Sequence, residues 1–353
     1  MPFRMLRRAQ PSRAMQWVAP LAAVALTLVF GLALFAALGI PPVRAMHALF
    51  IEPLSELNGW SELLLKAAPL CLIALGLAIG FRSNVWNIGA EGQMYVGGIC
   101  ATGLAIHFQG TWGWAMLPAM VLAGAAGGML WASIVAFLRV RFSANEILVS
   151  LMLTYVADLA VKYLVYGPWR DPAANNFPVT VAFEENAVFG LLHEGTRVNA
   201  SVFIAVVAVP LVWVFMTRSF AGFQLRVAGL APDAARYAGF SAPRAIWIAL
   251  LAGGAAAGLA GVGEVAGPLG QLNDRWTPGY GFTAIIVAAL GRLHPVGIVL
   301  AALLMALLYI GGEAAQIALQ LPAAVSRVFQ GLLLMALLAC EVTINYRFTW
   351  STR

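Results

Sequence analysis

Asn87, Glu91 and Gln93 are polar residues between two strongly apolar stretches, and their amide and carboxylate groups could bind a polar solute. Gly89 and Gly92 would let a helix break there, and backbone freed by a break can line a wet cavity in a membrane. An ionisable group at a helix centre in a membrane costs about 2.5 to 3.5 kcal/mol on insertion scales, which points to a solute path or a structural pair. A second interpretation stays open: a cytoplasmic hairpin, with a helix that begins at Asn87 and Glu91 placed early to suit the helix dipole.

A second interruption lies in the sequence Gly-Pro-Leu-Gly at residues 267–270, flanked by Glu264, Asn273, Asp274 and Trp276. Glycine and proline there predict non-helical backbone at membrane depth. Its position in the second half of the chain mirrors the first interruption loosely, which suggests an inverted repeat.

Other charged residues in apolar surroundings have structural explanations. Asp158 and Lys162 are spaced four apart with the acid first, the favourable order for an ion pair on a helix. Asn145 followed by Glu146 predicts a helix N-terminus, because an Asn side chain accepts hydrogen bonds from free backbone N–H groups. Spacings of the Gly-x-x-x-Gly type, as in 124–128 and 254–258, predict close helix packing.

Several enzyme chemistries have no residues to support them. Neither of the two lysines, Lys66 and Lys162, ends a Gly-x-x-x-x-Gly-Lys-Ser/Thr phosphate loop. The histidines lack metal-site spacing, no nucleophile motif stands out, and three cysteines in apolar runs give no disulfide or metal framework. We therefore expect no enzyme, no metal site and no ATP binding by this chain. The histidines and cysteines concerned are His47, His107, His193, His294, Cys71, Cys100 and Cys340.

The composition predicts an all-α polytopic membrane protein. The chain has 353 residues, of which 61% are apolar and only 10% charged, and a mean hydropathy of +0.85. Crossing a hydrocarbon core takes about 20 helical residues, and we count about ten runs of this kind, with eight as the lower limit. The runs lie near 17–40, 61–81, 89–108, 114–138, 146–166, 199–217, 245–264, 277–291, 295–313 and 325–345.

The basic residues predict the orientation. With both termini in the cytoplasm, most of the 21 Lys and Arg residues fall on the cytoplasmic side. The isoelectric point near 9.5 then reflects topology, and no nucleic-acid groove is visible. The arginines concerned are Arg4, Arg7, Arg8, Arg13, Arg82, Arg139, Arg141, Arg218, Arg226, Arg236, Arg244, Arg292, Arg347 and Arg353.

This orientation divides the chain into an N-terminal tail (1–16), a transmembrane domain (17–346) and a C-terminal tail (347–353). Residues 167–198 form the predicted extracytoplasmic loop, which could receive another protein or be merely solvated. Residues 217–244 form a basic cytoplasmic loop in which Asp233, Ala234 and Ala235 begin a short helix closed by Gly239. A short exposed helix on a membrane domain suggests docking.

Four segments resemble the permease subunits of bacterial ABC importers of the nucleoside and simple-sugar group, relatives of the ribose and branched-chain amino acid permeases. They are NVWNIGAEGQ (84–93), NEILVSLMLTY (145–155), YGPWRD (166–171) and GYGFTAIIVAALGRLHP (279–295). The resemblance covers roughly residues 60 to 340. Asp233-Ala-Ala-x-x-x-Gly239 is similar to the coupling motif Glu-Ala-Ala-x-x-x-Gly of these permeases, with Asp in place of Glu and without its usual Leu-Pro ending.

The resemblance implies a complex in the bacterial inner membrane with cytoplasmic ATPase subunits, a second permease chain and an extracytoplasmic substrate-binding lipoprotein. ATP would bind to the partner subunit, so this chain needs no cofactor of its own. The long N-terminal extension is similar to the longer of two different permeases, which favours a heterodimer.

Under this resemblance, six residues would form the substrate pathway through ring stacking and hydrogen bonds to a base and its ribose. Nucleosides are the favoured substrate. A simple-sugar permease and an ion-coupled secondary transporter that works without an ATPase remain as alternatives. The pathway residues are Trp86, Asn87, Glu91, Gln93, Trp276 and Phe282.

Overall fold

A computed structural model describes residues 3–7, 13–320 and 324–350. This part of the chain is predominantly helical, which confirms the all-α prediction. Short 3₁₀ turns occur at Glu52–Leu54, Gly113–Ala115 and Glu185–Ala187. The α-helices are α1 (Arg13–Ala37), α2 (Pro42–Phe50), α3 (Leu57–Arg82), α4 (Ala90–His107), α5 (Met116–Phe142), α6 (Glu146–Tyr166), α7 (Val202–Arg218), α8 (Phe220–Leu230), α9 (Pro232–Tyr237), α10 (Ala242–Glu264), α11 (Tyr280–Leu290), α12 (Pro295–Leu319) and α13 (Ala324–Asn345).

Each of the ten apolar runs coincides with a helix. Of the described helices, five are long and apolar enough to cross a membrane, and the pair α7 and α8, bent by 68°, is a sixth candidate as one broken span. The five are Leu57–Arg82, Gly113–Phe142, Glu146–Tyr166, Ala242–Leu269 and Pro295–Leu319.

A two-stranded antiparallel ribbon joins the tails, formed by β1 (Phe3–Arg7) and β2 (Tyr346–Trp350). Parts of the predicted tails, residues 1–2, 8–12 and 351–353, lie outside the described residues.

The described residues separate into two compact units. The first contains those up to Trp60 and those from Leu307 onward. In this unit α1 packs against α13, with the rings of Phe35 and Phe329 at a centroid distance of 5.6 Å. Helix α2 was not predicted, since its nine residues are too short for a span.

The second unit, Ser61–Ala306, is built around close contacts between glycines of α4, α5 and α10. A Cβ atom on Gly128 would collide with the carbonyl oxygen of Gly254, and one on Gly258 with that of Gly124. Lipid is as apolar as these helices, so close packing is what stabilises them against one another. The prediction that these spacings serve packing is confirmed.

An apolar cluster of the second unit extends this packing to the first interruption. Val85, which lies between α3 and α4, is buried with side chains from α5 and α10. The interruption is therefore fixed in the protein interior. The buried members are Val85, Ala132, Val135, Ala136, Ala249 and Leu250.

Candidate functional site

The first interruption is a seven-residue non-helical segment, 83–89, between α3 and α4. Asn87 donates from Nδ2 to Oε1 of Gln93 at 2.9 Å, and Gln93 donates from Nε2 to Oδ1 of Asn87 at 3.1 Å. Both side chains are buried. The two amides thus satisfy each other and hold the segment against the first turn of α4. The alternative prediction of a helix start at Asn87 is wrong by three residues, since α4 begins at Ala90.

The second interruption follows α10 and begins with a π-helical turn, Val265–Leu269. Gly270 adopts a left-handed conformation (φ +63°), and the chain is not helical again until Tyr280. The chain therefore leaves the α-helix at the predicted interruption, although residues 267–269 form part of the π-helical turn and the non-helical backbone begins at Gly270. Carbonyl groups of this interruption accept hydrogen bonds from the loop 167–198: Phe183 N–H donates to Gly270 O at 2.7 Å and Phe189 N–H to Ala266 O at 2.8 Å.

Glu91 connects the two interruptions. Its side chain is 2% exposed, and its carboxylate accepts hydrogen bonds from the Thr277 hydroxyl and from the N–H of Gly281. Gly281 lies in the first turn of α11, where free N–H groups and the helix dipole favour an anion. Glu91 therefore caps a helix that is distant in sequence, and its own position in the first turn of α4 suits the dipole of that helix as well.

Arg82 holds the opposite end of α11. Its guanidinium donates to the carbonyl oxygen of Leu293 at 2.8 Å, just beyond the C-terminus of α11. Cations are favourable at this end of a helix. The segment from Arg82 to Glu91 thus contacts both termini of α11, with an anion at the N-terminus and a cation at the C-terminus, as the helix dipole favours.

The predicted aromatic residues fall into two settings. Trp276 is 5% exposed, packs on Gly98 and meets the Tyr95 ring edge-on at 5.7 Å. Trp86 and Phe282 are exposed instead. Trp86 contacts the Phe81 ring, with centroids 4.7 Å apart.

The structure therefore groups the six predicted residues only in part. Glu91 and Trp276 lie around the start of α11, and Asn87 and Gln93 form an adjacent pair with each other. Sequence reasoning missed Tyr95, which interacts with Glu91 and Thr277. The signal was available, because Tyr95 follows Glu91 by four residues and so shares its side of α4.

Helix α6 carries the predicted cap and ion pair. The Asn145 side chain accepts from the N–H groups of Ile147 and Leu148, and Lys162 Nζ lies 2.7 Å from Asp158 Oδ2. Glu146 also pairs with Arg139 of α5. Within the described part of the chain, no group of three or more His, Cys, Asp or Glu side chains could hold a metal ion.

The region 217–244 contains more helix than predicted. Ser219 caps α8 by accepting from Gly222 N–H at 2.9 Å. The predicted short helix is present as α9, with Asp233 in its first turn and Ala235 buried. Gly239 follows with φ +77°. Tyr237, at the end of α9, is 97% exposed.

Helix α8 packs on the first interruption. A Cβ atom on Gly229 would collide with the carbonyl of Arg82 and would lie 3.0 Å from Cα of Ser83. Because Arg82 also contacts Leu293, a displacement of α8 would reach both the segment 83–89 and the end of α11.

These features define a polytopic helical membrane protein in which interrupted helices meet at a buried carboxylate and a bent helix pair leads to a short exposed helix. The chain belongs to the family described as branched-chain amino acid transport system / permease component, whose model matches residues 59–338. It is a permease component of the ABC importer type and a multi-pass inner-membrane protein. No solved structure matches this chain.

Three relatives illustrate the range of the family. The chain is 36% identical to the glucose ABC transporter permease protein TsgB13 of Haloferax volcanii, over 94% of this chain and 90% of that protein. It is 31% identical to the guanosine ABC transporter permease protein NupP of Bacillus subtilis (83% and 84%). It is 29% identical to the nucleoside ABC transporter permease protein NupB of Lactococcus lactis (83% and 82%). Each of these organisms has a second matching ABC transporter permease at 25 to 29% identity.

Proposed function

We propose that this chain is the translocating permease subunit of an ATP-driven nucleoside importer. The observation that carries the proposal is α9, a short exposed helix that follows the bend between α7 and α8. Under the positive-inside rule this region faces the cytoplasm, as do both termini. Asp233, Ala234, Ala235 and Gly239 then form the contact with an ATPase subunit, which binds and hydrolyses ATP, and this chain carries neither a cofactor nor an enzymatic activity.

Movement of α9 is transmitted through α8. Gly229 abuts Arg82, and Arg82 and Glu91 hold the ends of α11. Closure of the ATPase subunits would shift α8, and the shift would displace the segment 83–89 together with α11. The interruptions around Glu91 are where such a displacement opens or closes a path, because non-helical backbone at membrane depth lines cavities.

Two substrate classes have specific support. Nucleosides are favoured by the guanosine and nucleoside permeases among the relatives, and the rings of Trp86 and Phe282 are exposed and available to stack on a base. Glucose is the second candidate, because the permease with 36% identity bears that name. Both solutes are neutral and carry adjacent hydroxyl groups.

A transporter that works alone on an ion gradient would have no use for an exposed α9.

The remaining partners follow from the same assignment. A second, different permease chain is favoured because each of the three relatives has a second matching permease in its own organism. A substrate-binding lipoprotein would deliver solute to the loop 167–198, whose backbone is hydrogen-bonded to the second interruption.

The test is uptake of labelled guanosine and of labelled glucose by cells with and without this chain, each challenged with excess adenosine, ribose or leucine. We expect guanosine uptake to disappear on deletion and adenosine to be the effective competitor. Unchanged guanosine uptake with lost glucose uptake would replace the nucleoside assignment by the sugar one. Uptake that persists after the ATPase subunit is inactivated would remove the ATP-driven mechanism.

A further inference from the structure

One side of α6 carries a row of hydrogen-bonding side chains. Asp158, Lys162 and Tyr166 follow one another at intervals of four residues, so they lie along the same side of the helix. Lys162 donates to Asp158 at 2.7 Å, and the Tyr166 hydroxyl donates to Asp274 Oδ2 of the second interruption at 3.1 Å. We call Asp158, Lys162, Tyr166 and Asp274 the polar row.

The polar row is open to its surroundings. The side chains of Asp158 and Lys162 are 28% and 44% exposed, and that of Tyr166 is also exposed. Other sides of α6 are either buried against neighbouring helices or apolar and exposed, as at Met152 and Val156. The row thus lies at the border between the packed and the open surface of α6.

The position of the polar row along the candidate span determines what surrounds its exposed side chains in the membrane. Helix α6 is a candidate span that begins at Glu146, so Asp158 lies about 18 Å along a helix about 30 Å long. Ionisable groups at such a depth face the interior of a bundle or a water-filled cavity, because lipid cannot hydrate them. The exposed part of the ion pair therefore contacts water or polar groups when the protein is in its membrane.

The row also lies close to the start of α11. Asp158 is near enough to Glu91 and Tyr95 for electrostatic interaction with both, and Asp274 precedes Trp276 and Thr277 in the second interruption. A path past the polar row therefore leads to the point where both interruptions meet.

We propose that the polar row lines the solute path and binds the hydroxyl groups of a neutral polyhydroxylated solute, such as the ribose of a nucleoside or a hexose. Carboxylates accept hydrogen bonds from hydroxyl groups, while the ammonium and the phenol donate to them. The ion pair of α6 has no net charge, which suits a neutral solute. This inference rests on the proposed importer function, and it assigns Asp158, Lys162, Tyr166 and Asp274 a role beyond helix stabilisation.

The first test is the reaction of introduced cysteines with a membrane-impermeant thiosulfonate, in the assembled transporter and with Cys71, Cys100 and Cys340 replaced by alanine. Lys162→Cys is compared with Tyr163→Cys, which is the next residue and is 71% exposed but lies off the row. Only a thiolate in contact with water reacts quickly. We expect Lys162→Cys to react roughly tenfold faster or more than Tyr163→Cys, and excess guanosine or glucose to slow that reaction.

Equal reaction rates of Lys162→Cys and Tyr163→Cys would overturn the proposal. A second variant of the row, Tyr166→Cys, is labelled in the same way. If neither Lys162→Cys nor Tyr166→Cys reacted, the proposal would also be overturned, and a second permease chain would be covering this side of α6. Labelling of Lys162→Cys, combined with no uptake of guanosine or glucose by the transporter whose polar row is unchanged, would remove the proposed function and leave the water-filled row supported. Uptake of guanosine or glucose without labelling of Lys162→Cys would remove the role of the polar row in the solute path and leave the importer function standing.

A second test separates solute binding from a purely structural ion pair. Lys162→Gln and the exchange Asp158→Lys with Lys162→Asp are assayed for the KM of uptake. If the side chains of Asp158 and Lys162 bind solute, Lys162→Gln raises the KM of uptake. The exchange then does not restore the original KM, because the hydrogen-bond donor and the acceptor have changed places. Restoration of the original KM by the exchange would overturn the proposed role.

Discussion

Arg82 and Glu91 hold opposite ends of one helix, although α11 lies almost two hundred residues further along the chain. Arg82 donates to Leu293 O beyond the C-terminus of α11, and Glu91 accepts from Gly281 N–H at its N-terminus. Only the non-helical segment 83–89 and the first residues of α4 separate the two charges in sequence. Because these contacts link α11 to the turn after α3, we expect α11 to follow movement of that turn.

Glu91→Gln tests this connection. The amide keeps the size of the side chain but removes the charge that interacts with the N-terminus of α11, and its NH₂ group cannot accept from Thr277 or Gly281. A buried donor left without an acceptor costs about 1 to 3 kcal/mol. We expect a less thermally stable transporter and a clear loss of uptake, measured on purified protein and in cells.

Glu56→Gln is the control for this change, since Glu56 is exposed in the turn before α3. It should alter neither stability nor uptake. If Glu91→Gln behaved like the control, the carboxylate would not be holding α11.

A further prediction concerns the contact between α5 and α10. Gly128→Ala places a methyl group against the Gly254 carbonyl, and overpacking of this kind typically costs about 1 to 3 kcal/mol. We expect a lower melting temperature of the purified protein in detergent. Gly190→Ala is matched to it, because a Cβ atom at Gly190 has no neighbour within 4 Å. Equal melting temperatures for the two variants would argue against close packing at Gly128.

Much of the second unit could be predicted from sequence because its signals are local. The run 146–166 has the bounds of α6, since Asn145 caps its start and Gly167 ends it. The second interruption was expected from its glycines and proline for the same reason. The sequence does not indicate helices α2 and α8, because neither reaches the length of a span. The basic residues between 217 and 244 predict a cytoplasmic loop and give no sign of helix α8.

The site was harder to predict than the spans. The polar character of Asn87 and Gln93 was evident, but a sequence does not show that two amides satisfy each other. The contact of Arg82 with Leu293 joins residues 211 positions apart, and no local pattern indicates it. The sequence indicates only a cytoplasmic location for Arg82, whereas the structure gives it a partner at α11.

The exposed ring of Tyr237 provides a prediction for the ATPase contact. A large aromatic side chain that is 97% exposed on a short helix is typical of a residue that becomes buried in a partner. Aromatic residues are enriched among those that dominate binding. Tyr237→Ala should reduce co-purification of the ATPase subunit and substrate-stimulated ATP hydrolysis, with no change in the thermal stability of the permease. Tyr163→Ala, at an exposed tyrosine of α6, should leave co-purification intact. Unchanged co-purification of Tyr237→Ala would remove this side chain from the contact.

Gly239 ends α9 in a left-handed conformation, and this gives a prediction about coupling that separates backbone strain from steric contact. At φ +77° a residue with a Cβ atom is disfavoured by about 1 to 2 kcal/mol, and Asn tolerates this region better than other residues. No atom lies within 4 Å of a Cβ atom at this position, so a substituted side chain has room. We therefore expect Gly239→Val to abolish uptake while the chain still inserts in the membrane, and Gly239→Asn to keep most of it. Uptake and membrane content are measured together in cells, and wild-type transport by Gly239→Val would show that the geometry at the end of α9 does not matter for coupling.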